Sequence, residues 1–236
     1  MIKPNVRASF GRREAELLLS ITGPGGEERL RERGLDSLLD DPAVLHGVMH
    51  RGGRISRAPA PLLFYVLVRH ALLQRELADR RLADYIAALL LEFGTGGSAH
   101  RVDGGDGEPF FYLADIVAAL DRAHGEREFQ LRAHLGNFAL WLAGCFPDHV
   151  THRVHRRGAP GISYYDELGA AGFRAAASSS LAPRHGLGEI FADVAEHFSD
   201  VRSALNSLSD TVMFPHPRDA TDRILRQVAD DFNRRA

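Results

Sequence analysis

Apolar residues recur at spacings of three and four through most of the chain, and strict alternation is rare. This pattern predicts helices and almost no strand. A first helix is expected over 9–21, stopped by the Gly-Pro-Gly-Gly run. Short helices follow over 27–33, 35–40 and 42–50, with Pro42 suited to a first turn. Residues 61–75 and 80–93 form the most apolar pair, and Asp79 is placed to cap the second. Further helices are predicted over 110–123, 126–146, 163–178, 188–208 and 218–234, the third of these opened by a Ser163–Asp166 capping box. Residues 148–162 are polar and basic and read as an exposed loop.

The 61–75 and 80–93 segments carry the most informative feature. At 100° per residue, apolar side chains surround the first of them, as in a buried helix. Its short connection to the second predicts an antiparallel hairpin. Yet Arg69 and His70 lie within the first run, and Asp84 and Glu92 within the second. Burying a charge costs several kcal/mol, roughly, unless it is paired. These four side chains therefore need one another, a ligand or a metal. Hairpin symmetry about Leu77 puts His70 level with Asp84, and Arg69 level with Tyr85. The structural expectation is that Arg69 pairs with Asp84 or Glu92 and that His70 is hydrogen-bonded nearby.

The 126–146 helix adds His134 to a face made of Leu131, Leu135, Phe138, Trp141, Leu142 and Cys145, with Asn137 at its edge. Arg69, His70, Asp84, Glu92, His134 and Asn137 thus form a candidate buried polar pocket. Within an aromatic shell, such a group has the make-up of a small-ligand site. The small residues Gly169, Ala170, Gly172 and Ala176 predict close contact between helices.

The expected fold is all-α: an irregular multi-helix bundle around the central hairpin. It is read as one domain over 1–236, with a flexible glycine-rich loop at about 94–109. Of the 236 residues 44% are hydrophobic and 25% charged, and the net charge is −2. No global basic field draws the chain onto nucleic acid, which is disfavoured as a partner. No apolar run reaches the roughly 18 residues of a membrane span, and no secretory leader is apparent at Met1. The single Cys145 excludes an intrachain disulfide and a multi-cysteine zinc site, and a cytoplasmic location is expected.

Lys3 is the only lysine. A pyridoxal-phosphate enzyme needs a lysine amine in a pocket, and a P-loop nucleotide site needs Gly-Lys-Ser/Thr. Both are excluded. His149, His152 and His155, with Cys145, have ligand chemistry, but Arg153, Arg156 and Arg157 beside them repel a cation. Those arginines, with Arg51 and Arg54, are instead weak candidates for anion binding. Glu189, Asp193, Glu196 and Asp200 share one helical face opposite an apolar one and read as solvated. No catalytic motif occurs. The expected role is therefore a helical binding or regulatory protein, acting on a protein partner or by self-association. The alternative is a small-ligand or metal-binding enzyme that uses the buried His/Asp/Glu/Asn pocket.

Overall fold

The computed structural model describes residues 1–50, 58–94, 98–102, 109–216, 221 and 223–228. The protein is an all-α multi-helix bundle: 77% is helical, and no strand occurs among the described residues. The predicted helix over 218–234 and the glycine-rich loop fall partly outside the described residues.

Contacts divide the chain into two compact units, Ile2–Glu92 and Phe93–Ala236. In the first, the helices are α1 (Arg12–Thr22), α2 (Pro24–Arg33), α3 (Asp36–Leu39), α4 (Pro42–His50), α5 (Ala60–Leu73) and α6 (Arg80–Phe93), whose last residue falls in the second unit. α5 is buried from Tyr65 through Leu72, which its apolar circumference requires. α1 packs on α2, α3 and α4, and α4 packs on α5. Asp79 caps α6 by accepting the Arg81 N–H at 2.6 Å, and Asp41 does the same for α4 through Ala43 at 2.8 Å.

The second unit holds α7 (Leu113–Leu120), α8 (Gly125–Cys145), α9 (Pro147–Arg157), α10 (Ile162–Ala177), α11 (Ala182–His185), α12 (Gly188–Glu196) and α13 (Phe198–Leu208). α8 is its axis, packed against α7, α9, α10 and α13. The small residues of α10 set the closeness of its approach. A Cβ built on Gly172 would lie 2.8 Å from the Arg132 carbonyl oxygen, and one on Gly169 would lie 2.2 Å from the Phe198 ring. Real side chains never sit so close, so only glycine fits there.

The exposed carbonyls at the end of α8 need partners. Asn206 Nδ2 donates to Ala143 and Gly144 at 2.7 and 2.8 Å, and Ser209 Oγ donates to Cys145 at 2.7 Å. Asn206 Oδ1 accepts from Arg202, whose Nε bonds Asp166 at 2.9 Å. A five-residue π-helical turn follows α13 over Ser209–Met213.

Four local expectations need correction. Residues 147–157 are helical rather than a loop: Pro147 sits in the first turn, and Gly158 closes the helix at φ 59°. The 188–208 segment is two helices, because His197 leaves helical geometry at φ −105°, ψ 25°. α10 starts after Gly161 without a side-chain cap, and Asp166 serves Arg202 instead of a capping box. α11 gave no sequence signal beyond Pro183.

Candidate anion-binding cleft

In the first unit the buried polar residues have structural partners. Arg69 is 2% exposed, and its Nε and Nη2 donate to the two carboxylate oxygens of Asp40 at 2.7 and 3.1 Å. Its Nη1 donates to the Ala78 carbonyl at 2.7 Å. The carboxylate beneath Arg69 is thus Asp40, not Asp84 or Glu92. Arg80 bonds the same Asp40 at 2.6 Å and approaches Asp36 at 3.7 Å, while Arg7 bonds Asp36 at 2.7 Å. Burial raises the Asp40 carboxyl pKa, but Arg69 and Arg80 outweigh it and hold the group below its ordinary value.

His70 Nε2 donates to the Leu39 carbonyl at 3.0 Å. Burial lowers its pKa despite that bond, so the ring is neutral at pH 7. Asp84 accepts the Arg7 backbone N–H at 2.7 Å. Burial raises its pKa against that bond and a second from Val6. Glu92 is exposed, on the outer side of α6. Its place among apolar neighbours in sequence did not bury it, because the continuous burial of α6 over 82–90 ends before its last turn. Arg69 and His70 therefore converge on consecutive residues at the end of α3, while Asp84 serves the N-terminal segment.

His134 and Asn137 belong to the second unit and are both buried. The His134 ring stacks on Phe138 at 5.9 Å, meets Phe93 edge-on and lies tilted against Phe110. His100 joins the same aromatic group: it lies 5.6 Å from Phe138 and donates from Nδ1 to the Phe110 carbonyl at 2.9 Å. Cys145 is fully buried, and its thiol is pushed up to about 12 by that burial. It takes no part in a metal site with the α9 histidines. Among the described residues no three His, Cys, Asp or Glu side chains are placed to hold a metal ion.

An open recess lined by chemistry-bearing side chains lies along α9. Once 147–157 is helical, His149, His152, Arg153 and Arg156 fall at i, i+3, i+4 and i+7, on one face. His155 is outside this stripe. With Tyr112, the residue before α7, these four line a cleft of ≈ 340 Å³. The Arg153 guanidinium carbon sits 5.3 Å from the centre of the Tyr112 ring, a cation–π contact that fixes its position. Its Nε is buried and donates no hydrogen bond among the described residues.

Among the described residues, three acids of α7, α9 and α10 are already engaged. Asp148 accepts from Arg223 and Arg226 at 2.8 and 3.1 Å, Asp166 serves Arg202, and Asp115 takes the Tyr112 N–H at 3.1 Å. Burial raises the Tyr165 phenol pKa and the positive charge of Arg153 opposes it, which places that charge near α10. Arg51 and Arg54 lie outside the described residues, as does the Arg157 side chain.

The spacing of the α9 stripe was in the sequence. It was hidden because Pro147 was read as ending α8 and not also as opening the next helix. Tyr112 carried no signal, since its partner lies far along the chain. Compared with protein-family models, with curated proteins and with solved structures, the chain matches none.

Proposed function

We propose that this protein is a helical binding protein that recognises an anionic ligand or partner through the α9 cleft, without catalytic machinery of its own. The observation that carries the reading is Arg153: a guanidinium pinned on an aromatic ring, with a buried donor that has no acceptor among the described residues, beside a second arginine and two histidines. An unsatisfied donor is costly, and a guanidinium set among further cationic side chains in an open recess favours an anion there. The buried polar residues of the first unit support the non-catalytic part, since Arg69, His70 and Asp84 are each consumed by a protein partner. A cytoplasmic setting belongs to the same reading and fits a chain whose one cysteine is a buried thiol. No helix among the described residues is long and apolar enough to cross a membrane.

The test is calorimetric titration of the full chain with inorganic pyrophosphate, at low salt and again with added chloride. Saturable binding that weakens as salt rises, and that Arg153→Gln with Arg156→Gln abolishes without changing the melting temperature, is expected. Binding that the double variant retains would refute the site, and no saturable binding would refute the anion.

A further inference from the structure

The α9 cleft is larger than a simple anion requires. Its ≈ 340 Å³ is space for about eleven waters at roughly 30 Å³ each. It also lies within the range of sites for organic ligands, roughly 300–1,000 Å³. An inorganic phosphate on Arg153 and Arg156 would leave most of it filled with water.

The lining combines two chemistries. One is cationic: Arg153, Arg156 and the imidazoles of His149 and His152. The other is the Tyr112 ring, which is 53% exposed although Arg153 lies against it. Phe111, next to it, is 56% exposed and packs on His100 at 4.9 Å, which holds the start of this segment in place. The faces of exposed aromatic rings stack on planar rings. The sequence alone offered basic stretches with no aromatic among them. Folding supplies one, because it brings position 112 against positions 149–156.

Building on the anion reading above, we propose that the ligand class is a phosphate monoester carrying a planar aromatic ring, of the nucleotide kind. Its phosphate would meet Arg153 and Arg156, and its ring would lie on Tyr112. Arg153 serves both, since it donates to the phosphate and is itself oriented by the tyrosine. This differs from a P-loop, where backbone amides and a lysine hold the phosphates. Here arginine forks take that role, in keeping with a chain that has one lysine.

The experiment titrates the full chain with AMP, GMP, CMP and UMP, and in parallel with glycerol 3-phosphate, which has the same charged end and no ring. At least one nucleotide is expected to bind about ten-fold more tightly than glycerol 3-phosphate, the scale of one stacking contact. Tyr112→Leu should erase that margin, weakening the nucleotide more than glycerol 3-phosphate, which loses only the orientation that Tyr112 gives Arg153, and Tyr112→Trp should preserve the margin. Arg153→Gln should weaken both probes. Equal affinity for all five compounds would overturn the nucleotide assignment and leave the anion site standing, as would equal losses with both probes in Tyr112→Leu. Should none of the five compounds bind, both proposals fall together. If Tyr112→Leu does not fold, Tyr112→Trp decides: loss of the margin in that variant counts against the stacking role.

Discussion

Arg69 and Asp40, 29 positions apart in sequence, meet through two parallel hydrogen bonds at 2.7 and 3.1 Å. The fork-to-carboxylate geometry fixes α5 against the end of α3. Asp40 is three-quarters buried and Arg69 almost wholly so. Removing the acid strands a charge that cannot reach water. Asp40→Ala is expected to destabilise the fold by about 3 kcal/mol. At the other extreme, Arg12 and Glu16 form an exposed pair, and Arg12→Ala should cost less than about 0.5 kcal/mol. Urea unfolding of the two variants checks the contrast, and similar losses would mean that the Arg69 pair is no stronger than a surface one.

His70 imposes a pH dependence of known sign. Its folded pKa lies below the ordinary value because burial disfavours the imidazolium. The unfolded chain therefore binds a proton first as pH falls. Stability from this group is complete above about pH 6.5 and declines as pH drops through the folded value. Replacing His70 with Gln, which keeps a donor for the Leu39 carbonyl, should flatten the melting temperature between pH 7 and pH 5. An unchanged slope in that variant would assign the dependence to other groups.

Asp84 acts with the opposite sign. Its folded pKa is raised by burial, so the folded chain holds its proton more tightly than the unfolded one. Stability is then lost as pH rises through the window above the ordinary carboxyl value of about 3.9. Asp84→Asn keeps an oxygen for the Arg7 amide and removes the buried charge. It should match or exceed the parent in stability at pH 7, and the difference should vanish near pH 3. A marked loss at pH 7 would show that the charge itself is needed to hold the N-terminal segment.

Gly172 is where α10 touches the backbone of α8. Its missing side chain leaves room for the Arg132 carbonyl and the Gly136 amide. Gly172→Ala forces the helices apart and should cost about 1–3 kcal/mol, outweighing the gain in helix propensity. Gly25, with nothing near its Cβ position, is the control: alanine there should be neutral or stabilising. Thermal melts of both variants decide the point.

Much of the architecture was legible in the residues. The α4 and α6 ranges and the close α8–α10 contact follow from periodicity, prolines and small side chains, all local properties. Burial of Arg69, His70 and Asp84 was legible for the same reason. Their partners were not. Leu39 ends a short helix and Asp40 caps it; the sequence marks that helix but not which residues meet it, because helix rotation, which decides who faces whom, is a tertiary property. Glu92 shows the converse, since an acid flanked by leucine and phenylalanine still found the solvent side. In the second unit, the α9 cleft required knowing that Pro147 opens a helix and that Tyr112 returns to it.

Arg223 and Arg226 lie among the last described helical residues, and both turn inward to Asp148 and Asp210, while Ile224, Leu225 and Val228 are about three-fifths exposed. Asp148 directly precedes His149, so the footing of α9, which lines the candidate cleft, is supplied by residues 75 and 78 positions further on. A protease that trimmed the chain after Met213 would leave the cleft's own side chains intact and yet loosen the helix that presents them. Ligand affinity would then register damage at the far end of the polypeptide.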